Sequence, residues 1–505
     1  MWIFRRSCFI GDAAPAGGTP ANLPRAMRSR QTEGVAFGAP AKAGEHGRTG
    51  RVTRTPRRTL ERSKRTSACF ERPPRVNSAP QPPPVARREI VSWAMYDFAH
   101  SAFGTIIVTF IFSAWFAQSI APDPVLGGVW WTRAVTVSAV TTALIMPVVG
   151  AMGDFGGLKK RFLLIATMVC VVLTAGLFGM GPGDAWIAAL VFIGASVAYE
   201  SMQSLANAFL PEISTRENMG RISGLGWGLG YFGGLLCLVL ALGMVSGWLP
   251  EDGGLNVRST SLLAAGWLLV FSIPVFLFLR ERQPRRRAPL GTYVRMGFGR
   301  IADTARDLRR YRQAVRLLVA RLVYNDGLAT AFAMAAIFAG AEFGMETADL
   351  LILGIVVNLT AGASAIGFGF VQDRIGGKRT IAITLVLLMV AIAMAWSARD
   401  LPMFWAAAIL LGLMVGPNQA GSRALLGSFV PESKQGELFG FYAFSGRLSA
   451  AAGPLSYGLI LGATGSHRWA IASILVFLAA GCLLLLRVDE EEGVALAAAE
   501  GAPAD

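Results

Sequence analysis

From Glu89 onward the chain alternates long apolar runs with short polar breaks, and twelve of the runs reach the roughly twenty residues that a helix needs to cross a bilayer. Their centres fall near positions 107, 142, 170, 197, 232, 270, 328, 360, 388, 413, 448 and 477. Six lie on each side of the longest polar connection. The pattern therefore predicts an all-α membrane protein with twelve transmembrane helices in two six-helix halves, 89–281 and 313–488. A linker at 282–312 joins them and an acidic flexible tail, 489–505, follows.

The polar breaks repeat too. Gly150-Ala-Met-Gly-Asp154-Phe-Gly-Gly157-Leu-Lys-Lys-Arg161 returns as Gly369-Phe-Val-Gln-Asp373-Arg374-Ile-Gly-Gly377-Lys-Arg379, each copy between two apolar segments. Pro211-Glu212 with Gly220 is echoed by Pro431-Glu432 with Gly440. Two landmarks at one spacing of about 220 residues mean that the halves are copies of one unit.

Composition fits this class. Of 505 residues, 53% are hydrophobic and 58 are glycine, too apolar for a protein dissolved in water. The net charge of +15 is concentrated in the first 88 residues, which hold eighteen Lys/Arg against five Asp/Glu. Nucleic acid is thus not an expected partner of the membrane part. That first stretch is rich in Arg, Pro, Gly and Ser, has no periodic apolar face and is expected to be disordered and dispensable, either a basic targeting presequence or the result of a start codon placed too far upstream. Five scattered cysteines without a Cys-x-x-Cys pair, and only three histidines, predict neither a disulfide framework nor a metal site. No cofactor is expected.

The loops fix an orientation. Those after segments 2, 4, 6, 8 and 10 carry Lys159, Lys160, Arg161, Arg216, the run from Arg280 to Arg316, Arg374, Lys378, Arg379 and Lys434. The alternate loops carry Asp123, Asp184, Glu251, Asp252, Glu342, Glu346 and Asp349. By the positive-inside rule both termini are cytoplasmic, and the cell's inner membrane is the expected location. The linker, with Arg285-Arg286-Arg287 and an amphipathic stretch over 301–310, is expected to lie along the inner membrane face beside anionic headgroups, and a solvated linker that satisfies the positive-inside rule explains its charge more readily than a specific partner site.

Ionisable side chains inside a span cost several kcal/mol unless paired or hydrated. Six occur: Asp97, Glu200, Arg321, Asp326, Arg423 and Arg447. Three acids and three bases can neutralise one another as a purely structural network, with Arg321 and Arg447 the natural structural charges. Alternatively, some of them handle a solute or a proton. Asp97 and Ser101, Gln203 and Asn207, and Gln419 and Arg423 each stand one turn apart and so share a face. His100 is a proton-relay candidate, although a lone histidine on a helix interface is more commonly structural. The Gly-x-Gly-x-x-Gly at Gly228, Gly230 and Gly233 sits within a span, with no strand before it, so close helix packing explains it better than a nucleotide site.

Two six-helix halves, a basic linker and the repeated Asp-containing loop resemble the major facilitator superfamily over Glu89–Arg487. Within it, the runs Ser92–Phe103, Gly220–Gly234, Arg321–Gly327, Gln419–Arg423 and Phe439–Ala443 resemble the family of the autophagy-related vacuolar amino-acid effluxer and its bacterial relatives, with His100 standing where that family usually has Asn. The resemblance implies helices 1, 4, 7 and 10 around a central cavity. That makes Asp97, His100, Ser101, Glu200, Gln203, Asn207, Asn325, Asp326, Gln419 and Arg423 the substrate or coupling candidates, with Asp97 and Asp326 as a pseudo-symmetric pair. It also implies that Asp154 and Asp373 cap helices 11 and 5 of the opposite half, with Gly150, Gly157, Arg374 and Gly377 shaping these gating loops. The expected function is secondary active transport of a small polar organic solute, amino acids first, by a proton-coupled monomer in the lipid bilayer. A transporter-like sensor and a lipid flippase are the rival readings, and no nucleophile–base constellation argues for an enzyme.

Overall fold

The computed structural model of the protein describes residues 85–282, 299, 311–345, 347–431, 434–449 and 452–501. The tail expected over 1–88 and the linker with its amphipathic stretch lie almost wholly outside the described residues.

Among the described residues eleven helices are long and apolar enough to cross a membrane. In the first half these are α1 (Arg87–Ile120), α2 (Pro124–Gly156), α3 (Lys159–Gly179), α4 (Ala185–Asn207), α5 (Met219–Gly243) and α6 (Leu255–Phe278). The second half has α7 (Arg312–Phe343), α8 (Thr347–Ile375), α9 (Gly377–Ser397), α10 (Leu401–Ser428) and α12 (His467–Leu486). The crossing expected near 448 is made of two shorter helices, α11a (Gln435–Leu448) and α11b (Ala452–Thr464). Each half encloses its own apolar core, around Trp93, Phe103 and Phe192 in the first and Tyr324, Phe338 and Phe439 in the second. The outer faces are apolar as well, with Leu144 71% and Val476 69% exposed. Such a surface belongs in hydrocarbon.

The halves meet where α2 runs along α11a and where α5 runs along α8 and α10. Small residues set these contacts. A Cβ on Gly150 would meet the backbone of Gly436, and one on Gly436 would meet Gly150. The glycine run of α5 divides its faces: Gly224 and Gly228 abut the α8 backbone, whereas Gly226, Gly230 and Gly233 abut α1 at Asp97 and Phe98. The run is thus a packing surface of the kind membrane helices use to approach closely.

In α1 the turn widens to π geometry over Phe103–Phe110 and Phe116–Ile120. Thr109 Oγ1 donates to Gly104 O at 2.8 Å, five residues back, which suits the wider turn. Wide turns of this kind concentrate at functional sites.

The acidic C-terminal segment differs from the flexible tail that its composition predicts. Residues Glu490–Gly501 form a helix, α13, at the end of the molecule that carries the basic loops. Its first residue explains why it docks. Gly376, before α9, has no side chain to cap that helix, and the Glu490 carboxylate instead accepts from Gly377 N at 2.8 Å and Lys378 N at 2.9 Å. Glu492 adds contacts to Arg312 and Gln313 of α7. Removing a helix cap costs about 1 kcal/mol. Glu490→Ala should therefore lower the thermal unfolding temperature of the purified protein, with truncation after Arg487 lowering it at least as far. An unchanged unfolding temperature in both would mean that α13 carries no such cap.

Candidate functional site

Four helix faces converge between the halves. On α1, Asp97, His100 and Ser101 lie within one turn; on α4, Glu200, Gln203 and Asn207 follow at helical spacing; on α7, Arg321 and Asn325 are four apart, as are Gln419 and Arg423 on α10. All ten line one cavity of about 500 Å³. It runs from the Asp97 and Arg423 side chains along α1 to Phe110 and along α5 to Leu242, with Leu350 of α8 on the same side. Its direction is therefore away from the basic loops.

Asp326 is the exception among the substrate or coupling candidates. One residue further along a helix turns the side chain by about 100°, so Asn325 faces the cavity and Asp326 faces α11. There its carboxylate accepts from Ala452 N at 3.1 Å and Gly453 N at 2.9 Å, the first amides of α11b. Asp97 and Asp326 occupy equivalent places in the repeat, yet they do not flank one pathway. Asp326 anchors the break in helix 11.

Arg423 closes the cavity floor. Its Nη1 donates to Asp97 Oδ2 at 2.7 Å and Asn207 Oδ1 at 3.0 Å, its Nε to Ser223 Oγ at 3.0 Å and its Nη2 to Ser223 O at 2.7 Å. Trp93 and Trp227 present their ring faces to the guanidinium at 4.8 and 5.6 Å. His100 Nε2 lies 3.1 Å from Asp97 Oδ1. Every polar partner of Arg423 belongs to the other half of the molecule, so this buried pair is an inter-half bond.

The second cavity arginine behaves differently. Arg321 Nη1 donates to Tyr442 O at 3.3 Å and Ser445 Oγ at 3.1 Å, and its guanidinium stacks 3.7 Å from the Tyr442 ring centroid. These partners are neutral and lie on α11a, within the same half. Arg423 has an acidic partner in Asp97, whereas among the described residues no carboxylate forms an ion pair with Arg321. Beside it, Gln419 Nε2 donates to Asn325 Oδ1 at 2.7 Å and Asn325 Nδ2 to Ser449 Oγ at 2.5 Å. The side chain of Arg447 lies outside the described residues.

Below the floor, at the basic end, further bonds join the halves. Asp154 accepts from Gly436 N at 2.9 Å and Glu437 N at 3.1 Å, the start of α11a. Asp373 accepts from Gly220 N at 2.8 Å at the start of α5 and takes a 2.6 Å bond from Arg221 Nε. Neither helix has a side-chain cap of its own. The fully buried Lys159 bonds Glu212 and, at 2.7 Å, Gln435 Oε1 of the other half. Gly157 has φ 58°, which lets the chain turn between α2 and α3, and Gly377 begins α9. Arg374 is exposed.

Sequence reasoning missed Ser223, Lys159, Trp227 and Tyr442. A signal existed for Trp227 alone: it is one turn from Tyr231 on α5, and both line the cavity. Lys159 reads as a loop cation until the fold surrounds it.

Two pseudo-symmetric helical halves around a central cavity, bonded together at one end, define a transporter of the major facilitator superfamily. The human organic anion transporter MFSD10 covers 80% of this chain with all of its own, at a TM-score of 0.63 and 16% identity. The transporter FucP, solved in an outward conformation, covers 80% with all of its own at 0.61 and 13%. A bacterial homologue of the iron transporter ferroportin, in an outward-facing state, covers 79% with 98% of its own at 0.59 and 14%. These likenesses establish the fold. The chain belongs to the "Vacuole effluxer Atg22 like" family, whose model matches residues 130–498. Among its relatives are the MFS-type transporter YxiO of Bacillus subtilis, 26% identical over 79% of this chain and 94% of YxiO, and autophagy-related protein 22 of Yarrowia lipolytica, 26% identical over 59% of this chain and 55% of that protein.

The basic end depends on the Gly150–Gly436 approach, and Gly128, in the same helix, has open space around it. Gly150→Ala should wedge α2 from α11a and weaken the Asp154 cap, whereas Gly128→Ala should not. Spin labels on the exposed Arg216 and Arg379 should report a longer or broader inter-half distance in the first variant alone. Equal distances in both variants and the parent would show that this contact does not hold the end shut.

Proposed function

We propose that the protein moves a small polar organic solute, an amino acid in the leading case, through the cell's inner membrane by alternating access, driven by protons. The basic end is the cytoplasmic one, with both termini there, and the transporter works as a monomer surrounded by lipid. The conformation described is then outward-facing. The observation that carries this reading is the buried Asp97–Arg423 pair. It spans the two halves at the cavity floor, so solute cannot pass to the cytoplasm until the pair separates.

Separating it exposes each charge to a medium that solvates it poorly. A proton on Asp97 removes the counter-charge of Arg423 and eases separation; loss of the proton to the cytoplasm restores the pair as the floor closes again. His100, in contact with Asp97 and lining the cavity, is placed to pass that proton. The "effluxer" in the family's name supports transport as the activity, and the polar amides of Gln203, Asn207, Asn325 and Gln419 supply contacts for a hydrogen-bonding solute.

Asp97→Asn keeps a hydrogen-bonding side chain but carries no proton. In sealed vesicles the variant should lose pH-gradient-driven accumulation of labelled amino acids while retaining exchange without a gradient. It should also lose stability, because stripping one partner from a buried pair costs about 3–5 kcal/mol. Full driven accumulation in the variant would rule Asp97 out as the coupling group.

A further inference from the structure

We infer that Arg321 is the docking point for a carboxylate on the transported solute. The inference rests on the transport reading above and goes beyond it, by naming the group recognised and the residue that recognises it. Arg321 is 6% exposed and lines the central cavity. No carboxylate among the described residues is in ion-pair contact with it. Its Nε, also buried, has no hydrogen-bond partner among the described residues. A guanidinium held in a low-dielectric wall against only a carbonyl, a hydroxyl and an aromatic ring is under-compensated, and an anion entering the cavity supplies the missing charge.

The contrast with Arg423 sharpens the point. Both arginines line one cavity and both stack on aromatic rings, yet Arg423 is saturated by Asp97, Asn207 and Ser223. Arg423 bonds across the halves and locks them; Arg321 bonds only within its own half, so retaining it does nothing for the lock. Gly446 faces Arg321, and a Cβ there would come within 3.1 Å of Nη1. The Tyr442 hydroxyl, on the ring beneath the guanidinium and also facing the cavity, is another buried group without a partner among the described residues.

The chemistry selects the ligand. A planar guanidinium matches a carboxylate through two parallel N–H donors. One uncompensated cation suits a single negative charge.

The test uses full-length protein in proteoliposomes, challenged with L-alanine, L-isoleucine and L-phenylalanine, the primary amide of each, a sugar (D-glucose) and a simple amine (butylamine). The wild type should move at least one acid at least ten times better than its amide, since one charge-assisted contact is worth roughly ten- to a hundredfold. Arg321→Gln should erase that preference and Arg321→Lys should retain part of it. The lysine variant guards against misfolding, as does melting-temperature stabilisation by the acid in detergent, which should disappear with Arg321→Gln while the unliganded protein still unfolds cooperatively. An amide moved as well as its acid, a preference that survives Arg321→Gln, or transport of the sugar or amine in place of any acid would overturn the inference and leave the transport reading standing. Movement of no probe would overturn both.

Discussion

A guanidinium buried in a membrane protein must find compensation, and in this molecule the compensation of Arg423 comes entirely from the opposite half. Asp97, Asn207 and Ser223 belong to α1, α4 and α5; the arginine belongs to α10. The cost of an unpaired buried charge thus becomes a force holding the halves together at one end of the cavity. An ordinary hydrophobic contact in lipid exerts no such force, because hydrocarbon solvates an apolar surface as well as another helix does. The cavity lies on one side of the pair and the other inter-half bonds on the other side.

One device recurs among the other bonds. The starts of α5, α9, α11a and α11b each receive a carboxylate from elsewhere in the chain: Asp373, Glu490, Asp154 and Asp326 respectively. An exposed helix start offers unpaired N–H groups and a partial positive charge, each such contact being worth about 0.3–1 kcal/mol and up to ~2 when partly buried. Individually these are weak enough to break and re-form. Two of them, Asp154 and Asp373, cross between the halves and reinforce the central pair. The other two, Asp326 and Glu490, stay within the second half and shape it, one at the break of helix 11 and one at the base of α9.

What the sequence could reveal follows from what periodicity encodes. Apolar run length predicts spans, and the repeated loop predicts that Asp154 and Asp373 hold equivalent positions. Spacing of three or four residues brings Asp97 with His100, and Gln419 with Arg423, onto common faces. Absolute rotation of a helix is not encoded in this way, so alignment of the repeats paired Asp97 with Asp326 although a 100° turn sends Asp326 to α11b. Partners from distant segments are equally hidden: Ser223 sits in a run that reads as glycine packing, and Arg321 is indistinguishable from Arg423 until Arg423 is found opposite an acid and Arg321, among the described residues, is not. The acidic C-terminal residues look like a flexible tail because nothing local announces that Gly376 leaves α9 uncapped.

The central claim is that Asp97 and Arg423 bond the two halves to each other. A double-mutant cycle with Asp97→Asn, Arg423→Gln and the pair together, read as the populations of closed and open basic ends from inter-half spin-label distances, tests it most directly. Residues in direct contact couple by about 0.5–3 kcal/mol. Each single variant should open the basic end, and the double variant should open it by clearly less than the sum. Strict additivity, or single variants as closed as the parent, would contradict it.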